Sequence, residues 1–211
     1  MSSSVALNFE KILTDAWAGQ NDPAHDLGHI RRVVANATKI ASSEGGNLDV
    51  IIPAAWLHDI INLPKNHPDR AQGSTLSANE ALKHLKAAGF NGDIHGIHHA
   101  IAAHSFSAGI EPETLEAKIL QDADRLDALG AIGIARMFAV GGKLSRPLFD
   151  SNDPLAENRA PDDTQFSLDH IQVKLIKIAE TLHTKTARDI AASRVEFMLK
   201  FAWQISVEAK A

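Results

Sequence analysis

Apolar side chains recur along this chain at the three- and four-residue spacing of amphipathic helices. The clearest stripe lies in residues 26–43, where isoleucine, valine and alanine repeat on one helical face. The same spacing predicts further helices over 5–18, 48–61, 75–88, 92–104, 111–127, 130–139, 167–180 and 184–207. No segment alternates apolar and polar residues over the length of a strand, so the pattern predicts an all-α fold.

Capping residues mark the ends of two of these helices. Asn47 directly precedes the helix predicted over 48–61, where an asparagine side chain is suited to accept from the first turn. The helix predicted over 75–88 begins at Ser74 or Ser77, and Ser77 with Glu80 has the spacing of a capping box. Gly89 follows that helix, and a glycine there favours a left-handed C-terminal residue.

One long segment interrupts the helical pattern. Residues 141–165 are polar and rich in glycine, proline and aspartate, and loops of this length are usually functional or mobile. This loop is interpreted either as a lid that brings Arg146 or Arg159 over a substrate, or as a surface excursion. No repeat or linker divides the chain. We therefore expect one helical-bundle domain over 1–211, with a core of about 22–140 and C-terminal helices over about 166–208.

Composition narrows the classes of function. The chain has 211 residues, of which 45% are hydrophobic, and this is enough for a sizeable core. Its net charge of −5 disfavours nucleic-acid polymers, because those partners bind basic surfaces. The absence of cysteine excludes disulfides and thiolate chemistry. Short apolar runs and an N-terminus without a signal-peptide pattern predict a cytoplasmic protein with no membrane partner.

Histidine and aspartate carry the candidate chemistry. The apolar stretch "AWLHDI" places His58 beside Asp59, and a buried carboxylate usually finds a partner or a metal ion. His25 and His29 are four residues apart, so both rings can face one point from a helix. Neutral nitrogen together with anionic oxygen suits a divalent ion such as Mn, Fe, Co or Zn, and is tolerable for Mg.

A third stretch, "LQDADRLD", concentrates carboxylates beside an apolar stripe. These side chains repel one another unless a cation or an arginine intervenes. The acidic residues of this stretch are Asp122, Asp124 and Asp127. We therefore expect at least one of them to face a positive charge.

Several phrases together resemble the HD-domain superfamily of metal-dependent phosphohydrolases, and its small bacterial YedJ/YpgQ-type branch in particular. They are "HDLGHIRRV", "LHDI", "AIAAHSFS", "EAKILQDADRLDALGAIGIAR" and "LDHIQVKLIKIAETLHT". The resemblance covers most of the chain and implies an all-helical bundle that holds one divalent ion, with Mn preferred among Mn, Co, Fe, Mg and Zn. It implies the metal ligands His29, His58, Asp59 and Asp124.

The resemblance implies a phosphohydrolase that cleaves a phosphoanhydride or phosphate ester of a small phosphorylated metabolite, with a nucleotide favoured. Nearby histidines, acids and cations are candidates for proton transfer and phosphate binding. The catalytic candidates are His25, Lys65, His104 and Asp127. The substrate-binding candidates are Arg32, Lys65, His98, Lys118 and Arg125. His98 or His104 is also a candidate ligand for a second metal ion.

Other functions remain open at this level. They are a cyclic-nucleotide-type phosphodiesterase, a non-catalytic nucleotide sensor, and a di-iron oxygenase that would need six metal ligands. The presence of all four metal positions argues against the sensor. The protein is expected to be a monomer or a homodimer. The apolar stripe over 184–207, which includes Phe197 and Trp203, is interpreted as completing the core, with a dimer contact as the alternative. We expect the tryptophans to pack in that core as well: Trp17, Trp56 and Trp203.

Overall fold

The structure is a computed structural model that describes residues 7–18, 27–61, 63 and 67–209. All regular secondary structure in these residues is helical, which confirms the all-α prediction. The described residues group into two compact units, one ending at Asp124 and the other beginning at Arg125. None of the helices in the described ranges has the length and apolar character needed to cross a membrane.

The N-terminal unit is built from helices that pack against one another, chiefly α4 with α5, α2 with α3, and α3 with α5. Fully buried aliphatic side chains such as Ile30, Leu57 and Ile101 form its core. Two short 3₁₀ turns, Arg70–Gln72 and Phe106–Ala108, join the helices. The helices are α1 (Phe9–Ala16), α2 (Leu27–Glu44), α3 (Leu48–Leu57), α4 (Gly73–Ala87), α5 (Ile94–Ala103) and α6 (Leu115–Asp127), whose residues from Arg125 onward are counted with the C-terminal unit.

Two of the predicted caps are confirmed and one is wrong. The Asn47 side chain accepts a hydrogen bond from the backbone N–H of Asp49 at 3.0 Å. Gly89 follows α4 with a φ of +73°. The capping box is wrong, because α4 begins at Gly73 and Ser77 lies inside it. The hydroxyl of Ser77 is engaged instead by the backbone of Ile61.

The end of α3 also differs from the prediction. The pattern predicts a helix to residue 61, whereas α3 ends at Leu57 and His58 is its C-cap. His58 and Asp59 therefore lie in the turn that follows the helix. This difference matters for function, because these two side chains are candidate metal ligands.

The C-terminal unit contains α7 (Gly130–Lys143), a π-helical turn (Ile171–Leu175), α8 (Ile176–Glu180) and α9 (Lys185–Glu208). α9 packs on α7 and buries one face, on which Met198 and Ala202 lie. Phe197 and Trp203 are 47% and 59% exposed, so the prediction that they complete the core is wrong. Each lies about 100° around the helix from a buried neighbour, which turns it off the packed face.

The segment between α7 and the π-helical turn is irregular, as predicted, although α7 extends to Lys143 and shortens it. Arg159 anchors it by donating to both carboxylate oxygens of Asp169 at 2.5 and 2.9 Å. The guanidinium also lies 4.6 Å from the ring centre of Phe166 and 3.3 Å from Asp150. These contacts engage Arg159 within the C-terminal unit, and its role over a substrate stays a prediction.

Candidate metal centre

Three segments of the N-terminal unit bring the predicted metal ligands together. His29 comes from α2, His58 and Asp59 from the turn after α3, and Asp124 from α6. The Nε2 atom of His29 lies 3.4 Å from Oδ1 of Asp124 and 3.9 Å from Oδ2 of Asp59. The two imidazoles pack edge to face with their centres 5.5 Å apart. The sequence motifs thus meet at one point.

His58 presents a lone pair to this point. Its Nδ1 lies 2.8 Å from the carbonyl oxygen of Ala55, which can only accept, so Nδ1 carries the hydrogen of the neutral ring. The lone pair is then on Nε2, which lies 3.7 Å from Oδ2 of Asp59 and 3.9 Å from Oδ1 of Asp124. Among the described residues, this buried nitrogen has no hydrogen-bond partner.

Burial keeps His58 neutral. Desolvation lowers the pKa of His58 to about 4, against the opposing effect of the Asp59 charge. The neutral imidazole is the form that binds metal ions. A lone pair that faces two carboxylates is electrostatically unfavourable by itself, and a cation among these atoms relieves it.

The donor chemistry therefore fits a divalent ion. One ligand atom from each of His29, His58 and Asp59 lies within 4.8 Å of the other two. Oδ1 of Asp124 adds a second carboxylate beside both imidazoles. Two imidazole nitrogens with two carboxylates form a mixed nitrogen and oxygen set, which suits divalent transition metals.

His104 lies on the other side of Asp59. Its Nε2 is 3.5 Å from Oδ1 of Asp59, and its Nδ1 is 2.7 Å from the carbonyl of Ile101. Burial lowers the pKa of His104, but the hydrogen bond and charge of Asp59 outweigh it, so the net shift is upward. The structure thus brings this predicted catalytic residue to the site, where its ring can carry a proton towards Asp59.

Five further candidates belong to the N-terminal part of the chain. His25 and Lys65 fall outside the described residues. Nε2 of His98 lies 3.1 Å from Oδ1 of Asn79, and burial, with the neighbouring histidines, lowers its pKa. Arg32 lies one turn after His29 on α2, and Lys118 is half-buried on α6. Their roles stay predictions.

Arg125 and Asp127 both belong to the C-terminal unit and have partners within it. Arg125 donates from Nη1 to the carbonyl and hydroxyl oxygens of Thr181 at 2.8 and 2.9 Å. Asp127 is 2% exposed and accepts from Arg136 at 3.0 Å. These contacts engage both side chains within the C-terminal unit, and the substrate and catalytic roles assigned to them stay predictions.

Sequence reasoning missed two residues that contact the backbone around the metal ligands. Trp17, predicted to pack in the core, donates its indole N–H to the carbonyls of Asp59 and Ile60. Ser77, predicted to cap a helix, bonds the backbone of Ile61. Both contacts join segments far apart in sequence, so no local signal marks them.

Comparison with known proteins points in the same direction as the geometry. The sequence model of the HD domain family matches residues 26–129. The Bacillus subtilis (strain 168) protein YpgQ, which its name describes as uncharacterized, is 33% identical over 200 residues, which cover 93% of this chain and 87% of YpgQ.

Solved structures give the same result. An HD-superfamily hydrolase from Bacillus thuringiensis is 32% identical with a TM-score of 0.72, over 96% of this chain and 97% of that one. Bacillus subtilis YpgQ in complex with ADP is 30% identical with a TM-score of 0.69, over 95% of this chain and 97% of that one. Because identity and coverage are this high over nearly the whole length, the chain belongs to the HD domain family.

Proposed function

We propose that this protein is a metal-dependent phosphohydrolase that cleaves a phosphoanhydride or phosphate ester of a small metabolite, with nucleotides as the preferred class. The observation that carries the proposal is the buried Nε2 of His58, which faces Asp59 and Asp124 without a hydrogen-bond partner among the described residues. A nitrogen lone pair held against two carboxylates favours a cation at that place.

In this proposal His29, His58, Asp59 and Asp124 hold the ion, and manganese is the preferred metal because it accepts mixed imidazole and carboxylate ligands. A divalent ion held there supplies Lewis-acid polarisation of a phosphoryl oxygen and lowers the pKa of a bound water. Both imidazoles are buried, since His29 and His58 are 2% and 0% exposed, and the lowered pKa of His58 keeps its ring in the neutral form that binds metal ions.

Other residues of the chain are proposed to donate a proton and to compensate the negative charge of the phosphates. His104, whose pKa is raised, holds Oδ1 of Asp59 and is proposed to donate a proton or hydrogen bond to a phosphoryl or leaving oxygen. Arg32 and Lys118 lie on the two helices that carry His29 and Asp124. Their charges are proposed to compensate the charge of the phosphates.

The preference for a nucleotide rests on a relative. YpgQ, at 30% identity over nearly the whole chain, has been crystallised with ADP. The net charge of −5 favours a free nucleotide, which needs only a local positive site, over a polymer that needs a basic surface. A cytoplasmic location is part of the same proposal, because free nucleotides are available there.

The test is release of phosphate and of pyrophosphate from a panel of ribo- and deoxyribonucleotides, with Mn²⁺, Mg²⁺, Co²⁺ or EDTA. We expect metal-dependent release that falls at least about 100-fold in Asp59→Ala. Asp189→Ala, which removes an exposed carboxylate of the C-terminal unit, is the matched control and should retain release. Metal-bound protein that binds nucleotides but releases neither product would overturn the hydrolase and indicate a nucleotide sensor.

A further inference from the structure

The segment that carries the metal ligands lies beyond the end of its helix. α3 ends at Leu57, and residues 58–61, here called the HD segment, form the turn that follows. Two local hydrogen bonds tie this turn to α3: the Ile60 N–H donates to the Leu57 carbonyl at 3.1 Å, and the His58 ring donates to the carbonyl of Ala55. Backbone groups after a helix end must find other partners.

Trp17 supplies one of those partners from α1. Its indole Nε1 lies 3.3 Å from the carbonyl oxygen of Asp59 and 3.2 Å from that of Ile60. One N–H is therefore shared between the last two carbonyls before Ile61. The bond fixes the peptide plane directly after the ligand Asp59, and it comes from a residue more than 40 positions earlier in the chain.

Ser77 supplies the other partner from α4. Its hydroxyl donates to the carbonyl of Ile61 at 3.1 Å and accepts from the N–H of the same residue at 3.2 Å. Ser77 is completely buried, so water does not compete for these bonds. A single hydroxyl thus satisfies both backbone groups of Ile61 and anchors the HD segment at its far end.

We propose that Trp17 and Ser77 are positioning residues that hold the HD segment in the geometry needed to bind the metal ion. The two carboxylate oxygens of Asp59 face different histidines: Oδ2 lies 3.7 Å from Nε2 of His58, and Oδ1 lies 3.5 Å from Nε2 of His104. Metal sites tolerate ligand displacements of only about 0.2 Å. A turn held by two distant side chains meets that requirement better than a turn held by its own backbone alone.

This inference rests on the proposed metal site, and its test is cobalt binding, read from visible absorption and from calorimetric affinity. Ser77→Ala removes both bonds to Ile61, and we expect about tenfold weaker Co²⁺ binding with an altered absorption spectrum. Ser74→Ala is the matched control, because Ser74 is also a buried serine of α4 but donates to the carbonyl of Ala102. It should lose stability without losing cobalt affinity.

Trp17→Phe gives an independent test, since it removes the indole N–H together with the five-membered ring of a half-buried side chain and keeps a six-membered aromatic ring. It should weaken Co²⁺ binding in the same direction. Wild-type affinity and spectrum in both Ser77→Ala and Trp17→Phe would overturn the positioning role alone. Absence of cobalt binding by the wild-type protein would overturn the proposed metal site and this inference with it.

Discussion

The Nε2 atom of His29 lies 3.4 Å from Oδ1 of Asp124, although α2 and α6, which supply the two residues, are far apart in the sequence. This contact distinguishes Asp124 from the other aspartate of the acidic stretch that was a candidate for the site, Asp127. Asp127 is instead paired with Arg136 at 3.0 Å. The site geometry therefore supports Asp124 as the carboxylate that joins the two imidazoles.

Asp124→Asn should remove metal affinity selectively. The substitution keeps the size of the side chain but replaces a charged oxygen beside His29 and His58 by a neutral amide. We expect Co²⁺ affinity to fall at least about tenfold, because a ligand should matter no less than the outer partners of ligands. Isothermal titration with Co²⁺ measures it. Asp127→Asn is the comparison and should keep its cobalt affinity; equal losses in both variants would contradict the assignment.

The buried His58 should make the metal-free protein sensitive to acid. The pKa of His58 is about 4 in the folded chain, against an ordinary value of 6.5, chiefly because of burial. Between these values the unfolded chain binds a proton that the folded chain does not. Protonation of His58 therefore does not lower the free energy of unfolding above pH 6.5. As the pH falls from 6.5 towards 4, it lowers that free energy by about 3 kcal/mol in all.

The measurement is urea unfolding in EDTA between pH 7.5 and 4.5, for wild type and His58→Gln. The difference between the two isolates this group from His104, whose raised pKa acts in the opposite direction and favours the folded state at low pH. The unfolding free energy of wild type should decline more steeply towards acid than that of His58→Gln. Parallel curves would mean that His58 is not held neutral by burial.

Local patterns predicted the helices because their apolar stripes face the core. The stripe of α2 contains Ile30, Val33 and Ile40, all completely buried, and the observed helix differs from the predicted one by one residue at each end. The same stripe places His29 at the core edge, where it is 2% exposed. A candidate metal ligand on a regular helix could therefore be predicted from the sequence pattern.

Tertiary hydrogen bonds explain the features that the sequence patterns predicted wrongly, namely the end of α3 and the role of Ser77. The apolar run of α3 continues past Leu57 into Ile60 and Ile61, yet the helix stops where the His58 ring and Trp17 take up backbone carbonyls. Ser77 has the local spacing of a cap, but its hydroxyl bonds a distant backbone. A pattern read over a short window does not contain these partners.

Breaking the buried ion pair of the C-terminal unit should be costly. Asp169 is 1% exposed and accepts two hydrogen bonds from Arg159, so Arg159→Met leaves a buried carboxylate with less compensation. We expect a loss of about 3 kcal/mol in the free energy of unfolding. Lys185→Met breaks a pair with Asp189 that is exposed on both sides, and should cost at most about 1 kcal/mol.

Urea titrations followed by far-ultraviolet circular dichroism compare the two variants under identical conditions. Equal losses would show that burial of Asp169 does not set the energy of the pair. A third variant, Arg159→Met with Asp169→Leu, removes both charges and should recover part of the loss, since no buried charge then remains uncompensated.

Two glycines of α7 should respond to alanine with opposite signs. A Cβ at Gly133 would lie 2.1 Å from the carbonyl oxygen of Ala128, a backbone atom just before the helix start that has little freedom to move. Gly133→Ala should therefore destabilise the protein by about 1–3 kcal/mol through overpacking. At Gly142 a Cβ meets no heavy atom within 4 Å. Gly142→Ala should stabilise by about 0.5 kcal/mol, because alanine restricts the unfolded chain and favours the helix.

Thermal and urea unfolding of both variants measure these changes against wild type. The two substitutions share the same chemistry and the same helix, so helix propensity alone predicts the same sign for both. Opposite signs therefore isolate the close approach of Ala128 to Gly133 as the deciding factor. A stabilised Gly133→Ala would show that the start of α7 shifts to accept a methyl group, and that the glycine is not required by packing.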